Sequence, residues 1–155
     1  MLNKIKKYLQ KRFNYRAYLD IEMQAADYVG KVVPTIFEVW KLTGTMHHGE
    51  TAWAEFLRRP AFLGYLFAWC DLMAISSNAE PGGNGSMSGF LRALQAVAPN
   101  WKAEETLYLT CRLSEENNVE FRSGTLAGEK DYNQFAGGSK LPPVYLPILI
   151  QYYFP

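Results

Sequence analysis

Four side chains of this sequence have the types and neighbourhood for acid/base chemistry: Asp71, His47, His48 and Glu50. Asp71 is the one charge in AFLGYLFAWCDLMAI, residues 61–75. An ionised carboxylate in so apolar a segment is costly unless something compensates it. Two readings follow. One is a buried structural carboxylate, hydrogen-bonded or paired with Arg58, Arg59 or Arg92. The other is an acid of raised pKa, or a ligand-orienting group, in a pocket. Its helical stripe, Gly64, Ala68, Asp71 and Ile75, is small enough for a second helix or a ligand to come close. His47 and His48 are the only imidazoles in the chain. On a helix starting near Thr45, His47 and Glu50 share a face, while successive histidines diverge by about 100°. A metal needs three or four ligands, so the cluster suits proton transfer or a solvated polar face, and neither metal nor cofactor is expected.

Other chemistry-bearing motifs are absent. There is no GxSxG, no HExxH and no cysteine with a histidine partner. The loop GGNGSMSG, residues 82–89, runs into a helix whose free amides suit an anion, with Arg92 nearby. It lacks the lysine of a phosphate-binding loop and no strand precedes it. Trp53 and Trp69 are the aromatic residues best placed to line a binding groove beside the Asp71 and histidine segments. Six of the 16 basic residues, including Lys4, Lys7 and Lys11, fall within residues 1–16, where there is no acid. That leaves ten basic residues against all 15 acids in the rest. A basic amphipathic helix of this kind docks on an anionic surface or on the protein's own acidic body.

The composition is globular: 155 residues, 48% hydrophobic, 20% charged, net charge +1. It excludes a disordered or collagenous chain, and the near-neutral balance argues against a nucleic-acid domain. Aromatic residues reach 15%, enough for an aromatic core with a groove or a subunit interface. Cys70 and Cys111 form no ligand or disulfide framework, and no apolar signal segment follows the basic N-terminus. A cytoplasmic setting is therefore expected. The apolar run 61–75 has 15 residues, short of the roughly 20 that span a bilayer, and no transmembrane segment is predicted.

Periodicity assigns the positioning elements. Helices are predicted over 2–19 and 20–29, stopping at Gly30, then from Pro34 to Gly44 and from Thr45 to Arg59, with a buried one over 61–76. Residues 76–89 read as loop, after which Ser86 or Ser88 caps GFLRALQAV up to Pro99. Beyond residue 100 the period changes. Leu107, Leu109, Cys111 and Leu113 alternate with Thr106, Tyr108, Thr110 and Arg112, and VEFRS alternates again after EENN. This predicts an antiparallel hairpin, 106–114 with 119–125. The segment 144–154 is apolar on both faces and predicts a strand, edge-placed by Pro147.

The expected fold is thus α+β: about five N-terminal helices packed on a small antiparallel sheet, in one domain over 1–155. The expected function is a small soluble interaction or ligand-binding domain with an aromatic-rich core and groove, self-associating through its C-terminal strand edge. Binding falls to Trp53, Trp69, Arg92 and the N-terminal lysines. The alternative is a small hydrolase or acid/base enzyme using Asp71 with His47, His48 or Glu50.

Overall fold

The computed structural model describes residues 2–153, with side chains described at 16, 17 and 19–153. Six helices account for its regular structure: α1 Leu2–Leu57, α2 Pro60–Ser76, α3 Asn84–Val97, α4 Ala103–Glu115, α5 Val119–Ala136 and α6 Tyr145–Tyr153. No strand occurs among the described residues. The expected α+β class, with its hairpin and C-terminal strand, is therefore corrected to an all-helical fold.

The two misassigned segments fail for separable reasons. In 106–114 the short run fits both periods, because Leu107 and Leu113 fall inward in either. What decides is Thr110, which is buried where alternation would turn it outward. Its hydroxyl donates to the Thr106 carbonyl one turn back, at 2.7 Å, so the polar group on the inner face is satisfied within its own helix. Leu109 is exposed instead. Glu104 and Glu105 in the first turn and Arg112 in the last then complement the helix dipole. EENN is a turn, but one between helices: Asn117 takes positive φ, and the Asn118 side chain accepts the Phe121 amide at 3.0 Å and caps α5. In 144–154, Pro147 occupies the first turn of α6, where its missing N–H forfeits no helical bond. Leu146, Leu149 and Ile150 form the buried face.

Gly30 and Gly44 stop nothing. Helical structure runs through Pro34 and breaks only at Gly49, whose φ of 80° and ψ of 167° lie where a side chain is rarely tolerated. Gly30 and Gly44 serve as contact points: the Arg92 side chain lies over the first and the Trp53 ring over the second.

The core is built on α2, which Pro60 starts at its first position. One side faces α5 across small residues. A β-carbon on Gly124 would overlap the Ala61 backbone, one on Gly64 the Phe121 backbone, and one on Gly128 would lie 2.7 Å from the Tyr65 carbonyl. Another side carries the aromatic cluster shared with α1, in which Phe37, Trp40, Phe62 and Trp69 meet edge to face, Trp40–Trp69 at 4.9 Å. On α3, Gly85 and Gly89 bring the helix onto Ala25 and Val29 of α1. Residues 84–89 are therefore helix and not loop.

Gly124→Ala tests the α2–α5 contact with opposing signs. Helix propensity favours alanine by about 1 kcal/mol, while overpacking against backbone costs typically 1–3 kcal/mol or more. Urea denaturation should show a net loss of about 1 kcal/mol or more; a stabilised variant would mean that α2 and α5 are not in close contact.

Candidate functional site

A cavity of about 490 Å³ opens between α1, the end of α5, the segment 139–143 and α6. α1 supplies one helical face, with Ile36, Val39, Trp40, Thr43, His47 and His48. Trp69 of α2 closes the wall beside Trp40. α5 adds Asp131, Gln134 and Phe135, and α6 adds Leu146, Pro147 and Ile150. Leu141, Pro142 and Pro143 complete an apolar rim, on which Ser139 and Lys140 are the polar members. Size and lining fall within the range of small-molecule sites.

The wall is held by Asp131, which is 2% exposed. Its Oδ1 accepts the amides of Val144 and Tyr145 at 2.9 and 3.0 Å. Its Oδ2 accepts the Leu146 amide at 2.9 Å and the Tyr65 hydroxyl at 2.7 Å. Three of the four amide positions at the start of α6 are thus bonded to one carboxylate, and the fourth is Pro147, which has no N–H. The positive end of the helix dipole and four hydrogen bonds offset the cost of burying the charge. Burial, then the Asp131 charge and hydrogen bond, push the Tyr65 phenol well above its ordinary range; the Trp69 indole N–H opposes this. That N–H is buried and lacks a well-formed hydrogen bond, as does that of Trp53.

The sequence-predicted site residues are dispersed. His47 and His48 stand exposed at the cavity mouth with ring centroids 6.4 Å apart. Glu50 lies beyond the Gly49 break, so it has no helical register with His47. Asp71 is half-buried away from the cavity lining. Its Oδ1 accepts the Gly82 amide at 2.7 Å and the Ser86 hydroxyl at 2.6 Å, holding the 77–83 segment against α3. The three arginines considered for it are otherwise engaged. Arg59 pairs with Glu120 at 2.8 Å, Arg92 with Asp27, and Arg58 lies over the Trp101 ring. Trp69 lines the cavity, whereas Trp53 packs against Gly44, Phe56 and Phe62 and does not. Lys4, Lys7 and Lys11 lie outside the residues whose side chains are described.

Cys70 is buried and Cys111 partly so, both as free thiols. Burial and the neighbouring Asp71 charge push the Cys70 thiol up, which leaves it a packing residue. Among the described residues no group of His, Cys, Asp or Glu is placed to hold a metal ion. None of the described helices is long and apolar enough to cross a membrane.

Sequence reasoning missed Trp40, Asp131 and Lys140. Trp40 carried a signal, since Val33, Phe37 and Trp40 recur at helical spacing. Asp131, in EKDYNQF, is one acid among polar neighbours, and nothing local marks it as buried.

No family model matches the chain, and no curated protein or solved structure is similar to it. The cavity therefore has to be interpreted from its own chemistry.

Asp131→Asn replaces one acceptor oxygen with a donor that must face the α6 amides or the Tyr65 hydroxyl. Each buried donor left unsatisfied costs about 1–3 kcal/mol, so urea denaturation should show a loss of about 2–4 kcal/mol, with Tyr65→Phe losing about 1 kcal/mol. An Asn variant as stable as the parent would refute the role assigned to Asp131.

Proposed function

We propose that this protein is a small ligand-binding domain, with the cavity between α1, α5 and α6 as its site for a predominantly apolar small molecule. The observation that carries this reading is a pocket of about 490 Å³ walled by Ile36, Trp40, Trp69, Leu146 and Ile150. Apolar surface of that extent gains free energy whenever a ligand displaces water from it. The acid/base alternative has less support: Asp71 is occupied by Gly82 and Ser86, and it does not share the cavity with the two histidines. Both cysteines are free, which is consistent with the cytoplasmic location that we propose.

Phenylnaphthylamine, an uncharged dye, probes the cavity without reference to charge. It should bind saturably, one dye per chain, with altered emission from Trp40 and Trp69. Val39→Trp, on an exposed part of the wall, should fill the space and weaken binding at least about tenfold. No binding, or equal binding by the variant, would overturn the reading.

Self-association is a second reading with its own support. No strand edge to mediate it is present among the described residues. However, Val39, Leu42 and Met46 form an exposed apolar row on α1 beside the cavity mouth, Met46 at 84% exposure. Such a row fits an interface with a second copy. Light scattering should give a dimer for the parent and a monomer near 17.7 kDa for Met46→Glu; a monomeric parent at all concentrations would dismiss the interface.

A further inference from the structure

Charge is distributed unevenly around the cavity. The one acid in the lining is Asp131, and all its bonds go into the wall. The groups that can carry positive charge are His47, His48 and Lys140, all exposed at the mouth. Among the described residues none of the three has an ion pair or a hydrogen bond. The interior between them and Asp131 is aliphatic and aromatic. We propose, resting on the reading of this cavity as a ligand site, that its occupant is an anionic amphiphile, an apolar body with a carboxylate or similar headgroup. The body lies against Trp40, Trp69, Leu146 and Ile150, and the head is held at the mouth by His47, His48 and Lys140.

Three physical arguments fix both the class and the direction. A charged head in the interior would lose hydration without gaining a partner, so it stays at the mouth. There an ammonium and two imidazoles offer charge-assisted hydrogen bonds to an anion, whereas a cationic head would meet like charge. The buried Asp131 carboxylate adds repulsion against the inverted orientation, head inward. An uncharged amphiphile would gain the apolar contacts alone.

The experiment is calorimetric titration of the full chain with dodecanoate, dodecanol and dodecylamine, each below its aggregation limit. Dodecanoate should bind at least about tenfold more tightly than dodecanol, and dodecylamine least tightly. Lys140→Gln combined with His47→Gln and His48→Gln changes only exposed side chains. It should remove the preference for dodecanoate, so that dodecanoate and dodecanol bind the variant within about threefold of each other. Dodecanol or dodecylamine binding as tightly as dodecanoate would overturn the headgroup assignment while leaving the cavity a ligand site. A dodecanoate preference that survives in the triple variant would overturn the role of these three residues. Failure of all three compounds to bind would overturn the cavity reading, and the headgroup assignment with it.

Discussion

A buried carboxylate with no ion pair among the described residues holds the cavity end of this molecule together. Asp131 accepts from Tyr65 on α2 and from the first amides of α6, so three elements meet at two oxygens. α6 has nine residues, too few for a stable isolated helix. It exists because its exposed amides are satisfied from outside and because Leu146, Leu149 and Ile150 are buried. The same arrangement recurs. Glu120 of α5 accepts the Ala61 amide at the start of α2, and Glu22 of α1 accepts the Gly85 amide at the start of α3. Neither α2 nor α3 has a side-chain cap of its own. Helix formation and tertiary assembly are thereby coupled, since each of these helices takes an acceptor for its first-turn amides from another helix.

Small residues set the other constraint. Gly64, Gly124 and Gly128 bring α2 and α5 nearly backbone to backbone, and Gly85 and Gly89 let α3 settle onto the Ala25 and Val29 side chains of α1. Bulk is concentrated instead in the aromatic cluster between α1 and α2, where Trp40 and Trp69 form one wall of the cavity. Tight pairs on one side and large rings on the other fix the scaffold. The cavity then lies where α1, α5 and the short α6 surround space that none of them fills.

Much of this was legible in sequence, but unevenly. The buried helix α2 follows from its apolar run, and the small stripe at Gly64 and Ala68 announced a close neighbour, which proves to be α5. The spacing of Gly124 and Gly128 at i,i+4, and of Gly85 and Gly89 likewise, is visible in the sequence, yet glycine also marks loops, and composition alone cannot separate the two uses. Residues 106–114 defeat periodicity because a buried threonine that bonds its own helix looks like an outward polar residue. Asp131 defeats local reasoning altogether, since its donors are 13 to 15 residues later and 66 residues earlier in the chain. The histidines and Trp69, singled out by residue type, fall on the lining of the cavity. Glu50 loses its register with His47 through one glycine, Gly49, whose backbone breaks the helix, and Asp71 is turned away on α2, toward Gly82 and Ser86.

The central claim, that an anionic amphiphile occupies the cavity framed by Asp131, is tested most directly by NMR titration of isotope-labelled protein with dodecanoate. Saturable shifts should appear at the amides of residues 36–48 and 131–150 and at the indoles of Trp40 and Trp69, with α4 and the Trp101 indole unaffected. Shifts centred on α4 and Trp101 with a silent cavity, or no saturable shifts at all, would contradict it.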